Sequence, residues 1–451
     1  MSAAPISGER AQDTIFALSS GAGRTALAVV RVSGPAAGLA VDRIAAPRSK
    51  PRFAAFRKLR HPETGEEFDH ALVLWFAGPN TETGEDMCEL HLHGGRAVLS
   101  AALAALAAIP GCRPAGPGEF TRRAFENGKL DLTAAEGIID LIDADTDAQR
   151  RQALRQASGE LSTLYEGWRR RLIEAQGLLE ASIDFADEGD VAETAELNGL
   201  AEAASLALII ERHLKDGRRG EIVREGFRIV IAGPPNVGKS SLMNALARRD
   251  VAIVSEEPGT TRDVLEVRLD LDGYMAIVAD TAGLRETAGA IEREGIRRAL
   301  QRAEEADLVL WIIDATAPAV DIPPDIADRG ARVLRVLNKI DVPAARRDAP
   351  QDHAISAQTG AGIPELIGAI GSIVQMAAGS AETMAITQVR HRKQIETCLD
   401  ALQSIELSNS LPAELAAEQL RIAADALGRI VGRIDPEDVL DQVFARFCIG
   451  K

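Results

Sequence analysis

Cysteine is scarce in this chain. Its 451 residues include four, Cys88, Cys112, Cys398 and Cys448, and no two stand at C-x-x-C spacing. That excludes a disulfide framework and a spacing-defined zinc module. Aromatic residues are only 4% of the chain, although hydrophobic residues reach 46%. Cores must therefore be built of aliphatics and alanine, and abundant alanine favours helices. Long apolar runs are missing. The longest, Leu99 to Ile109, is too short to span a bilayer, and no signal-peptide pattern opens the chain. Basic residues are outnumbered: 51 Lys and Arg against 67 Asp and Glu give a formal net charge of −16. Such a balance argues against a general nucleic-acid coat and against an anionic membrane surface. The expectation is a reduced, soluble, cytoplasmic protein long enough for two or three domains.

What is present centres on Gly233-Pro-Pro-Asn-Val-Gly-Lys-Ser240. An apolar run, Phe227 to Ala232, precedes it and a helix-like run follows from Ser241. Strand, glycine turn and helix N-terminus make a phosphate cradle, with Asn236, Val237, Gly238, Lys239, Ser240 and Ser241 around it. Lys239 is placed to reach the β- and γ-phosphates and Ser240 to offer its hydroxyl to Mg²⁺. Ala276 to Ala279 reads as a strand ending in Asp280-Thr281-Ala282-Gly283, where a carboxylate beside a glycine turn suits Mg²⁺ and γ-phosphate sensing. Leu308 to Asp314 and Arg332 to Leu337 read as further strands. The second runs into Asn338-Lys339-Ile340-Asp341, whose Asp341 carboxylate can accept two hydrogen bonds that guanine offers and adenine does not. Ser356 and Ala357 supply a guanine-side contact. The ordered motifs predict a GTP-binding domain.

The N-terminal part reads as α+β, with strands Ala26 to Val32, Ala71 to Phe76 and Met87 to His93. The last alternates cleanly, placing Cys88, Leu90 and Leu92 on one face and Glu89, His91 and His93 on the other. That polar face is a solvated surface, the wall of a ligand pocket or a metal half-site. Arg113 to Glu119 is a Pro/Gly-rich connection, Thr121 to Lys129 helical. From Thr133 to about Gly217 the pattern is long and helical. Leu154, Leu161, Trp168 and Ala175 recur every seven residues, as do Ala157, Leu164, Leu178 and Phe185 with Arg171 breaking the series, which suits a bundle. Arg150-Arg151 and Arg169 to Arg171 read as a solvated face or an RNA contact. Helices resume at Ala381 to Ile405, Pro412 to Val431, and from Asp435 to Phe447. The expected divisions are residues 1–125, 126–219, 220–377 and 378–451, with the GTPase domain inserted into a helical one.

These motifs, with Cys448-Ile-Gly-Lys451, Pro117-Gly-Glu-Phe120, Asn127-Gly-Lys-Leu-Asp131, Phe76-Ala-Gly-Pro-Asn80 and Gly84-Glu-Asp86, make the chain resemble the MnmE (TrmE) family of tRNA-modification GTPases over its whole length. The resemblance implies a multidomain α/β protein: an α+β folate-binding-like N-terminal domain that makes a homodimer, a helical bundle, and an inserted Ras-like P-loop GTPase domain. It implies that, with an FAD-dependent partner, MnmG (GidA), in a heterotetramer, the chain adds an aminomethyl or carboxymethylaminomethyl group to C5 of the wobble uridine of certain tRNAs. The one-carbon source would be 5-formyl- or 5,10-methylene-tetrahydrofolate, held by Arg31, Glu89, Lys129 and Lys451. Leu284 follows Gly283, where Ras-like proteins have a water-orienting glutamine. The family answers with K⁺, matched here by Asn236, the carbonyls of Ser255 and Glu257, and Thr260, with Glu256, Pro258 and Gly259 in the same nucleotide-contacting stretch. Thr261 matches a Mg²⁺ ligand and Glu292 the glutamate acting on water. Cys448 stands as a packing residue or as a nucleophile or acid/base at the one-carbon site. The competing functions are a ribosome-assembly or mechanical GTPase and a folate-binding transfer protein without an RNA target.

Overall fold

The structure is a computed structural model. It describes residues 13–21, 23–185, 189–215, 218–253, 266–280, 306–318, 321–327, 332–343, 345, 351–379, 385–407, 411–434, 437–447 and 449–450. The chain is a multidomain α/β protein that divides into two compact units. One joins Met1–Ile139, Gln156–Arg169 and Leu427–Lys451; the other joins Asp140–Arg155 and Arg170–Ala426.

The first unit is built on a sheet. Strands β1 (Thr14–Leu18), β2 (Leu27–Ser33), β3 (Ala55–Arg60), β4 (Glu67–Phe76), β5 (Met87–His93) and β6 (Cys112–Pro114) lie in the order β3-β4-β5-β2-β1-β6. The alternation of β5 sets one face. Leu90 pairs with Val30 on one side and Val73 on the other, and residues directly opposite share a face. Cys88, Leu90 and Leu92 are buried with Val30, Val32 and Trp75 beneath α1 (Ala37–Ile44) and α2 (Arg96–Ala107). The other face carries Arg31 opposite Glu89. The Pro/Gly-rich connection contains the short strand β6, which sequence alone reads as loop. Helix α3 (Glu119–Glu126) starts two residues earlier than predicted, because Gly118 adopts a left-handed φ of 64° at its N-cap.

Helices follow: α4 (Leu132–Ile142), α5 (Asp147–Ala157), α6 (Glu160–Asp184), α7 (Gly189–Lys215) and α8 (Arg219–Glu225). The seven-residue seam is partly wrong. Leu161, Trp168 and Ala175 are buried, but Leu154, Leu178 and Phe185 are exposed. The first series crosses the break between α5 and α6, which leaves Leu154 off the seam, and the second stands one position away from the buried residues of α6. The buried stripe of α6 is Leu161, Tyr165, Trp168, Leu172, Ala175 and Leu179, spaced at three and four. The arginines read as a solvated face or an RNA contact are largely ion-paired: Arg150 and Arg151 to Asp147, Arg169 to Glu166, Arg171 to Glu202. Helix Glu437–Phe444 packs with α4 through Leu132, Ile139, Leu440 and Phe444. Helix Val389–Leu407 packs along α7. Segments before and after the nucleotide-binding stretch thus pair, as insertion requires.

In the second unit, β7 (Phe227–Ala232), β8 (Glu266–Leu271), β9 (Tyr274–Asp280), β10 (Leu308–Asp314), β11 (Arg332–Asn338) and β12 (His353–Ala354) lie in the order β12-β11-β10-β7-β9-β8. All pairings are parallel except β8–β9. Leu308 to Ile312 are buried without alternation, as expected of a parallel strand covered on both faces. Among the described residues, no helix is long and apolar enough to cross a membrane.

Candidate functional site

The ends of three parallel strands converge on the glycine turn. β7 runs into it, and Asp314 at the end of β10 pairs with Asn338 at the end of β11. Gly233 has φ 148°, Asn236 φ 63° and Gly238 φ 98° before α9 (Lys239–Ala247). Side chains would not fit two of these glycines. A Cβ at Gly233 would stand 2.6 Å from the Ile312 carbonyl, and one at Gly238 would stand 2.3 Å from the Asn338 amide. The loop is therefore held open as a backbone cradle at a helix N-terminus, the geometry that accepts phosphate.

Lys239 folds back over this cradle, its Nζ donating to the carbonyls of Gly233 at 2.9 Å and Pro234 at 2.8 Å. Asn338 is 2% exposed. Its amide donates to the Val237 carbonyl at 2.8 Å and its oxygen accepts the Ala357 N–H at 3.0 Å. One side chain thus ties the phosphate loop to the guanine-side loop. Lys339, at φ 68°, donates to the Asn236 carbonyl at 2.8 Å and pairs with Asp314 at 2.5 Å. Ser356 is buried, its hydroxyl accepting the Thr359 N–H, while Asp341 is exposed. The structure brings Asn236, Val237, Gly238, Lys239, Ser240, Asn338, Lys339, Ser356 and Ala357 together. Ser241 is exposed on α9's first turn. Asp280 ends β9 beside Ile231. Ser255, Glu256, Glu257, Pro258, Gly259, Thr260, Thr261, Thr281, Ala282, Gly283, Leu284 and Glu292 lie outside the described residues. Sequence reasoning gave Asp314 no role. Its position, a carboxylate closing an apolar strand beside the other strand ends, was the available signal. Burial acts to raise its carboxyl, but the Lys339 ammonium and Thr316 hydrogen bonds outweigh it and hold it ionised below its ordinary value.

The first unit holds a second cluster. Arg31 pairs with Glu82 at 2.8 Å and Glu89 at 3.3 Å and lies over the Phe120 ring at 5.9 Å. Its Nε is buried without a hydrogen-bond partner among the described residues, an exception to the rule that buried polar groups are paired. His91 leans on Glu89 at 3.2 Å, whereas His93 turns away to Asp69 at 2.7 Å. The described residues contain no group of three or more His, Cys, Asp or Glu able to hold a metal. Lys129 closes over the Gly84 loop, where a Cβ would meet its Cε at 3.0 Å.

That loop is fixed from below. Ser33 donates to Glu85 at 2.6 Å, Arg123 pairs with Glu85 and Glu119, and Asn127 donates to the Thr83 carbonyl at 2.7 Å. Glu119 also takes two bonds from Arg113, at 2.6 and 2.9 Å, and the Gly116 N–H. Burial would raise its carboxyl; these donors and the Arg123 charge prevail and lower it to about 2. The chain's last described residues reach the same unit. Ile449 bridges Pro117, and the Ser19 hydroxyl donates to the Gly450 carbonyl at 2.8 Å. Leu18, next to Ser19, pairs with Val30 beside Arg31. Cys448 and Lys451 themselves lie outside the described residues. Of the other cysteines, burial pushes Cys88 up, Cys112 to about 11 and Cys398 to about 12, so none of these three is a thiolate near neutrality.

Two family models match: the MnmE helical domain over residues 132–448 and the GTP-binding protein TrmE N-terminus over residues 14–129. The chain is 52% identical over 444 residues to a tRNA modification GTPase MnmE of Methylorubrum populi, covering 98% of both chains. It is 53% identical over 446 residues to that of Parvibaculum lavamentivorans, covering 97% of this chain and 100% of the relative. It is 47% identical over 460 residues to the rat mitochondrial protein named 5-taurinomethyluridine-[tRNA] synthase subunit GTPB3, covering 97% and 93%.

Proposed function

Because the chain belongs to the MnmE family of tRNA-modification GTPases, we propose that its GTP hydrolysis serves the building of an aminomethyl or carboxymethylaminomethyl group on C5 of the wobble uridine of tRNA. The chain is a GTP hydrolase. In this reading Lys239 and the loop amides hold the phosphates, Asp341 and Ala357 the guanine, and Ser240 with Thr261 the Mg²⁺. Asn236, Ser255, Glu257 and Thr260 hold K⁺, whose charge stands in for an arginine finger. All of these are oxygen donors, which suit hard cations.

The first unit takes a tetrahydrofolate derivative. It supplies the one-carbon group when bound, and Arg31, Glu89, Lys129 and Lys451 bind and orient it. An FAD-dependent partner of the MnmG kind supplies the redox chemistry. The first unit makes the homodimer. The observation that carries the reading is the docking of Gly450 on Ser19 at 2.8 Å. It brings Gly450, two positions after Cys448 in the sequence, to the domain that holds Arg31. Mass spectrometry of wobble nucleosides in a deletion strain tests it. Absence of the modified uridine, restored by the intact gene and not by Lys239→Ala, supports the reading. Normal modification in the deletion strain rejects it.

A further inference from the structure

Between Arg43 and Arg60 this acidic chain carries seven Lys and Arg and no Asp or Glu. The segment leaves α1, crosses the loop before β3, and ends with β3 on the edge of the sheet. Arg43, Lys50, Arg52, Lys58 and Arg60 are exposed. Among the described residues Arg43, Lys50, Arg52 and Arg57 form no ion pair. Arg52 and Arg57 donate instead to backbone carbonyls, which leaves their charge uncompensated. Lys58 and Arg60 share the single carboxylate of Glu67, at 3.8 and 3.6 Å. Within this island Phe53 and Phe56 are each 65% exposed.

Edge strands are often charged to prevent strand pairing. That purpose explains Lys58 and Arg60. It does not explain cations of one sign running back through a loop away from the edge, nor two exposed phenylalanines among them, which invite association. Cations that neutralise phosphates, interleaved with rings on which bases stack, are the elements of single-stranded nucleic-acid binding. Elsewhere the net charge of −16 repels a phosphate backbone, so any direct contact is confined to such an island. An anionic membrane suits it less well, since interfacial binding uses an amphipathic helix and this is a strand and a loop.

We propose that the Arg43–Arg60 segment is a direct RNA-contact surface, which grips the tRNA backbone and stacks unpaired bases on Phe53. This rests on tRNA being the substrate. The test uses the full chain and an unmodified tRNA transcript with uridine at the wobble position, titrated from low to moderate KCl. The variant Arg43→Gln/Lys50→Gln/Lys58→Gln is expected to bind at least about tenfold more weakly at low salt. Its slope of log affinity against log salt should be shallower by about 2, for three lost phosphate contacts. Phe53→Ala should weaken binding by several-fold and leave the slope alone. GTP turnover and oligomeric size should not change in either variant. Unchanged affinity and slope overturn the proposal. So does an unchanged tRNA affinity with lost binding to phosphatidylserine vesicles, which marks a membrane surface, or a changed oligomeric size, which marks a face between copies. Wobble nucleosides in the deletion strain test the substrate separately, so a failed patch and a failed substrate are distinguishable.

Discussion

The side-chain amide of Asn338 donates to the backbone carbonyl of Val237 at 2.8 Å, across 101 residues of chain. With its acceptance of the Ala357 N–H, it makes the phosphate loop and the guanine loop one rigid piece. Asn338→Ala strands a buried carbonyl and a part-buried N–H, a cost of about 1–3 kcal/mol. GTP and GDP affinity, measured by calorimetry, should both fall by roughly tenfold or more. Unchanged affinity for both would reject the coupling.

Hydrolysis should depend on the monovalent cation. Leu284 cannot orient water, and Asn236 stands in the loop at φ 63° where an added positive charge would meet the developing phosphate charge. Turnover in KCl should exceed that in NaCl at equal ionic strength, and Asn236→Ala should lose most of the difference. Equal rates in the two salts dispose of the idea.

Acid should find the first unit through Glu119. Its folded carboxyl lies at about 2 against an ordinary 4.5. A depressed carboxylate contributes stability above its unfolded value and loses it as pH falls toward the folded one. The melting temperature of the intact chain should thus drop below about pH 4.5, while Glu119→Gln should start lower and show less of that drop. Parallel curves for the two proteins would mean that the Arg113–Glu119–Arg123 network carries little stability.

Cys448 is expected to matter for modification and not for folding. Cys448→Ser should keep the fold, the oligomer and K⁺-stimulated hydrolysis, and lose the modified wobble nucleoside in cells carrying only that variant. Near-normal nucleoside would return the residue to packing.

The phosphate cradle was legible because its backbone demands particular residues: Gly233 and Gly238 are there since a Cβ would strike Ile312 and Asn338. Strand β5 was legible because its alternation is clean. Leu161, Trp168 and Ala175 were legible as the α6 seam, whereas Leu154 was misread because its heptad ran through a helix break. Strand β3, Ala-Phe-Arg-Lys-Leu-Arg, escaped because only Ala55 and Leu59 are buried and its other residues face solvent. Glu82 as the partner of Arg31, and Asp314 as that of Lys339, follow from tertiary approach and leave no periodic trace.

The bond from Ser19 to Gly450 spans 431 residues, and Pro117 waits for Ile449 in the same way. On a ribosome adding roughly 5–20 residues per second, that delay is about 20–90 s. The first domain to emerge therefore cannot be finished when it emerges. Its sheet can form early, yet the seat beside Leu18 and Pro117 stays open through synthesis of everything between. Maturation of that domain is a late event, timed by translation itself, and a chain released short of Ile449 would carry the sheet without its closing strap.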